Sequence, residues 1–219
     1  MDPTTIKSLT DFYRSISGKN AVPLDPDHPF YVPIFETRAT EDPIVRLRLN
    51  IEKAESESVH LLTGFRGNGK STQLRRLKKC LEESGSRVFL VDMLNYLFMS
   101  KPIEPSDFIL SLMAALAHAA EEAGLKTLSD SYWQRLTRFL VSEVHLDGIQ
   151  INTPAVEVGL KLKTDPTFKE KIQDHLRGHI TGLVEEARQF VVGLVGEIRK
   201  EDPDKKVVLL VDSVELLRR

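Results

Sequence analysis

The chain has a single cysteine, Cys80, among 219 residues. It therefore cannot close an internal disulfide, and a lone thiol is what a reducing compartment allows. No apolar run approaches the roughly 18 residues that a spanning helix needs. The longest candidate, Phe190 to Val195, is interrupted by Gly193 and followed by charge. The start, Met1-Asp2-Pro3-Thr4, lacks the basic and apolar regions of an export signal. Excess charge of one sign is missing too: 30 basic residues face 32 acidic ones, a net charge of −2. That balance gives no global pull toward nucleic acid or a membrane, so any such binding must come from a local patch. These absences point to a cytoplasmic protein with no membrane partner. What remains, 41% hydrophobic and 28% charged residues, is enough for one large or two small domains with a true core.

The most informative stretch is Gly64-Phe65-Arg66-Gly67-Asn68-Gly69-Lys70-Ser71-Thr72, which fits the phosphate-cradling pattern GxxxxGK[ST] in full. A chance match in a chain of this length is on the order of one in a hundred, so the pattern carries weight by itself. Each residue type has a physical reason. Glycines allow positive φ and let backbone N–H groups approach phosphate oxygens. Lys70 would reach the β and γ phosphates, and Ser71 would offer its hydroxyl to Mg²⁺. The spacing predicts a buried strand leading in, Val59-His60-Leu61-Leu62-Thr63, and a helix leading out from Ser71 to Glu83. The positive end of that helix would lie beneath the phosphates.

Taken in order, residues 1–41 read as an amphipathic helix, Thr4 to Ser17, followed by a connector. In the connector Pro23, Pro26, Pro29 and Pro33 exclude a helix or a central strand. Residues 42–92 read as a βαβ core. Asp42-Pro43 starts a helix with Ile44, Leu47, Ile51 and Ala54 on one face. Beyond the loop, Leu74, Leu77 and Leu81 face inward, while Arg75, Arg76, Lys78 and Lys79 form an outer face that reads first as solvated and second as a nucleic-acid contact. Arg87-Val88-Phe89-Leu90-Val91-Asp92 is a second buried strand.

Residues 93–204 form a large, mostly helical insertion. Phe108, Leu112, Ala115, Leu116 and Ala119 mark one helix, and Trp133, Leu136, Phe139 and Leu140 another. Alternating Val156, Val158, Leu160 and Leu162 predict a hairpin over 147–163. Asp165-Pro166 opens a single long helix whose apolar positions run from Phe168 to Ile198 and on to Lys200. Its stripe covers neighbouring helices or forms a surface for self-association or a protein partner.

Residues 205–219 open with Lys205-Lys206-Val207-Val208-Leu209-Leu210-Val211-Asp212, an apolar strand that presents a carboxylate at its C-terminal edge, where ligands of parallel sheets sit. The phosphate loop together with Asp212-Ser213-Val214-Glu215 resembles the AAA-like and STAND class of P-loop ATPases. The match covers two short motifs and their order. The resemblance implies an α/β P-loop NTPase fold with a parallel sheet core, the insertion lying between the second strand and the Walker B strand. It implies ATP and Mg²⁺ as cofactors, Lys70 and Ser71 in the phosphate and metal roles, Asp212 on the metal, and Glu215 as a second acid. Apolar residues upstream of the loop often contact adenine in related ATPases, so Tyr31 and Val32 read either as such a contact or as ordinary surface packing. Ser213 stands where many AAA-type enzymes carry a water-polarising glutamate, which implies slow, switch-like hydrolysis. Members of the class place a further strand between the P-loop strand and the Walker B strand. The sequence therefore reads as an incomplete sheet, the N-terminal part of a longer ATPase or one completed by a partner.

The function expected is an ATP-binding, slowly hydrolysing regulatory module that controls assembly or signalling, as in STAND-like defence or stress responses. The alternatives are an AAA-type nucleic-acid motor or loader and a non-catalytic nucleotide-binding scaffold. No NKxD motif for reading guanine occurs.

Overall fold

The computed structural model describes residues 3–16, 23–33, 42–65, 67–97, 102–142, 145, 149–150 and 152–214. They form a mixed helix and sheet structure of eight α-helices and one two-stranded parallel sheet. Contacts divide the chain into two compact units, Met1–Ser84 and Gly85–Arg219. None of the described helices is long and apolar enough to cross a membrane.

In the first unit, α1 (Pro3–Ile16) leaves Ile6, Leu9, Phe12 and Tyr13 largely in water. Phe12 meets Phe30 of the proline-rich segment edge-on, ring centroids 5.4 Å apart. Helix α2 (Pro43–Lys53) begins where Asp42 and Pro43 place it: the Asp42 carboxylate accepts the Ile44 N–H at 2.9 Å, and Pro43 supplies a preset φ. It packs on α3 (Lys70–Glu83), and Ile44, Leu77 and Leu81 are buried there.

The second unit is organised by β1 (Arg87–Asp92) and β2 (Val207–Asp212), paired in parallel from Arg87 opposite Val207 to Asp92 opposite Asp212. Parallel strands cannot be joined by a tight turn, and among the described residues the chain between them forms a short 3-10 turn, Met93–Asn95, and five α-helices: α4 (Pro105–Glu122), α5 (Lys126–Ser142), α6 (Ala155–Thr164), α7 (Pro166–Leu176) and α8 (Ile180–Ile198). Helix α4 is the centre. It packs against β1 and all four other helices, and Leu110, Ala114, Ala117 and Ala120 are completely buried. Its small residues let neighbours approach closely, while Phe190, Leu136, Leu140, Ile172 and Leu176 fill the volume around it.

Two features predicted in this region differ from what is observed. The 155–164 segment is helical rather than half of a hairpin, because the same apolar residues satisfy two periods. Ala155, Val158 and Leu162 are buried at helical spacing with Gly159 between them, while Val156 and Leu160 face solvent. The single long helix is broken into α7 and α8 by a turn at 177–179, where Gly178 sits and the His179 N–H bonds the Leu176 carbonyl at 2.9 Å. Its apolar stripe is preserved across the break, with Phe168, Ile172, Leu176, Leu183, Phe190 and Leu194 all buried.

A buried ion pair ties α7 to the start of α4. Lys169 Nζ lies 3.6 Å from Asp107 Oδ2, and both residues are 1% exposed. The same oxygen accepts the Gln173 amide at 2.7 Å and the Glu104 N–H at 3.0 Å. Close packing is also set by Gly159. A Cβ there would lie 2.7 Å from the Tyr96 ring, and that ring is pinned by a 2.7 Å hydrogen bond between its hydroxyl and His118 Nδ1. Gly159→Ala is expected to destabilise the protein by about 1–3 kcal/mol, the usual cost of overpacking. Urea denaturation measures it, and Gly178→Ala, whose Cβ would meet nothing within 4 Å, serves as the near-neutral control.

Candidate nucleotide-binding site

The glycine-rich loop lies in the first unit and its backbone is built by its glycines. Gly67 has φ of 85° and Gly69 φ of 75°, both in the left-handed region where a side chain is strained. A Cβ at either position would meet nothing within 4 Å, so the requirement is conformational rather than steric. The Asn68 N–H donates to the Phe65 carbonyl at 3.2 Å, closing the turn, and Gln73 N–H to the Gly69 carbonyl at 2.9 Å begins the helix. Gly69 is the N-cap of α3. A glycine cap offers no side-chain oxygen to the N–H groups of Lys70, Ser71 and Thr72, and the first turn carries no acidic residue. This end of α3 therefore keeps its partial positive charge.

Lys70 folds back over the loop. Its ammonium donates to the Gly64 carbonyl at 3.2 Å and the Phe65 carbonyl at 3.3 Å. Both acceptors are neutral carbonyls in an exposed loop, weaker partners for an ammonium than an anion is. Arg66 lies outside the described residues.

The lead-in segment departs from expectation. Residues 57–65 belong to no helix or strand, and Val59, Leu61 and Phe65 are 99%, 78% and 85% exposed. A strand needs a neighbour to bond with, and among the described residues the sheet contains only β1 and β2. Val32 is 62% exposed, and Tyr31 is half-buried with its hydroxyl enclosed and without a hydrogen-bond partner.

Helix α3 is tied down by its basic face. Arg75 pairs with Asp25 at 2.9 Å, Lys79 with Asp27, Lys78 with Glu82 at 2.8 Å, and Arg76 with Asp42 at 2.5 Å. Each of the four cations that could have met nucleic acid already has a carboxylate. The Arg76–Asp42 pair is the most enclosed, each side chain 14% exposed. Burial pushes the Asp42 carboxyl up, but the Arg76 hydrogen bond and the Ile44 N–H outweigh it and hold its pKa below the usual 3.8.

Asp212 lies in the second unit at the end of β2, 9% exposed, with its Oδ1 accepting the Ser213 N–H at 2.8 Å. Ser213 takes φ of 66°, an unusual conformation for serine that turns the chain directly after the carboxylate. Asp92 is its register partner on β1 and caps the following turn through the Leu94 N–H at 3.0 Å. Asp92 is a strand-end residue that its place in the sequence did not by itself single out. The signal was the repeated form of the two strands, each an apolar run ending in Asp. Glu215 lies outside the described residues.

A groove of about 230 Å³ between α5 and α8 is lined by Arg135, Arg188, Gln189, Val192 and Gly193, none of them assigned a role above. Glu185 holds Arg188 there, and that hydrogen bond, with a second from Gln189, lowers the Glu185 pKa to about 2.

Comparison with family models, with curated proteins and with solved structures finds no match to this chain. The functional reading therefore rests on the loop and its surroundings.

The Asp42 geometry carries a pH-dependent prediction. Because its folded pKa is depressed, its contribution is full above the ordinary carboxylate range and is lost as pH falls through the folded value. Asp42→Ala should lower stability at pH 7 by about 1–2 kcal/mol, the value of a good N-cap. In urea titrations the difference from the wild-type protein should shrink toward acid pH, whereas Asp42→Asn should keep the cap and lose that pH dependence.

Proposed function

We propose that this chain is an ATP-binding P-loop module, slow in hydrolysis, whose nucleotide state controls assembly with a protein partner or with further copies of itself. The observation that supports it most is the loop at Gly64–Thr72. Two left-handed glycines, a glycine-capped helix start free of acidic side chains and a lysine resting on neutral carbonyls make a cradle suited to a polyphosphate. In this reading the Lys70 ammonium leaves the Gly64 and Phe65 carbonyls for phosphate oxygens, and the first-turn N–H groups of α3 donate to the same anion.

Mg²⁺, when bound, would neutralise phosphate charge and polarise the terminal phosphoryl group. The roles that the resemblance gives Ser71, Asp212 and Glu215 remain proposals, each tested on its own side chain. Slow turnover follows from Ser213 in the position where a water-polarising glutamate would stand. Arg76, enclosed with Asp42, is withdrawn from the basic face of α3, which leaves the nucleic-acid motor reading less positive surface to use.

Isothermal titration with ATP and Mg²⁺ tests the proposal. One-site binding is expected, weakened roughly 10- to 100-fold by Lys70→Ala, the range for losing a charged hydrogen-bond donor. Ser71→Ala should reduce the Mg²⁺ dependence. A titration with no heat for the wild-type protein, or heats unchanged by Lys70→Ala, would overturn the reading.

A further inference from the structure

The segment 23–33 is tied by ion pairs to the helix that follows the phosphate loop, and its attachment has an unusual form. Four prolines, at 23, 26, 29 and 33, keep it out of any helix or ladder. Among the described residues its backbone hydrogen bonds are internal, His28 N–H to the Asp25 carbonyl at 3.0 Å and Tyr31 N–H to the His28 carbonyl at 2.8 Å. Its hold on α3 comes from side chains. Asp25 pairs with Arg75 and Asp27 with Lys79. The cations are one helical turn apart, about 6 Å of rise, and the two aspartates flank Pro26 in a turn that the His28 N–H closes on the Asp25 carbonyl.

Both pairs are open to water, with Asp25 64% and Asp27 78% exposed. Open pairs are weak one by one and are screened by salt. The Asp27 hydrogen bond raises the Lys79 pKa above its usual 10.5, consistent with a favourable contact. Against it stands the Tyr31 hydroxyl, enclosed without a hydrogen-bond partner, a cost that release would remove. The segment is thus held by contacts that a competitor can replace, and it carries one contact that opposes docking.

We propose that the segment 23–33 is a displaceable internal ligand that masks a recognition face on α3, and that this face accepts an acidic, proline-stiffened, turn-forming peptide from a protein partner. The seated segment shows what the face takes: two carboxylates flanking a proline in a turn, set against Arg75 and Lys79. Displacement would act on the helix that begins at Lys70. A partner peptide would then be read by the same element that holds the phosphate cradle. This inference goes beyond nucleotide binding and stands whether or not ATP is the ligand.

The test is fluorescence anisotropy on the full chain with a labelled synthetic peptide of the sequence of residues 23–33. The wild-type protein should bind it weakly, because its own tethered segment competes at an effective concentration in the millimolar range. Asp25→Asn with Asp27→Asn should tighten peptide binding about tenfold at low salt, the scale of two exposed ion pairs. Adding Arg75→Gln and Lys79→Gln should abolish that gain, and raising salt should reduce it. Equal peptide binding by the wild-type protein and the aspartate variant would overturn the proposal. So would a single-stranded oligonucleotide binding the aspartate variant where the peptide does not. Hydrogen exchange gives a second reading that needs no folded variant: in the wild-type protein, amides 24–32 should exchange faster as salt rises while α3 stays protected. Exchange in 24–32 that is indifferent to salt would also overturn it.

Discussion

The parallel pairing of β1 with β2 is the constraint on which the second unit depends. Two parallel strands in water cannot stand alone, because each buries little on its own and their connection must be long. The chain answers with five helices placed between the strands in sequence, and α4 carries the main burden of covering them. Its alanines allow neighbouring helices to come close, and larger side chains from α5, α7 and α8 then close the space. An ion pair is kept in this apolar surrounding, Lys169 with Asp107. Such a pair adds little net stability over an apolar substitute, but it disfavours any register of α7 on α4 that would leave one charge alone.

Much of the helical structure was legible because its signals are local. Asp42-Pro43 and Asp165-Pro166 start helices, and in both cases the aspartate side chain accepts N–H groups of the first turn. The phosphate loop is equally local, since left-handed glycines and a glycine N-cap are written in the residue types themselves. The strand β1 was legible from its apolar middle and charged ends, with the same boundaries as observed.

What was not legible depends on partners far away in sequence. The residues 155–164 carry an alternation that suits a strand and a spacing that suits a helix, and burial against α4 decides between them, with Gly159 fitting under the Tyr96 ring. The turn at 177–179 interrupts an apolar stripe that by itself reads as continuous. The run Val59 to Thr63 has strand composition, but composition cannot supply a neighbouring strand. The ion pairs of α3 were also hidden, because Asp25, Asp27 and Asp42 lie 50, 52 and 34 residues before the cations they meet, so a face that reads as open in the sequence is occupied in the fold.

The uncovered run ahead of the phosphate loop has a consequence for colloidal behaviour. A run outside any helix or ladder, bearing Val59 and Leu61 in water, is a place where other chains can add. Directly before it stand Glu55 and Glu57, both exposed. Charges flanking an apolar strand act as gatekeepers, because stacking copies in register would bring like charges together. Solubility at this point of the chain is thus kept by electrostatic repulsion rather than by burial, and it weakens wherever those two carboxylates are protonated or screened.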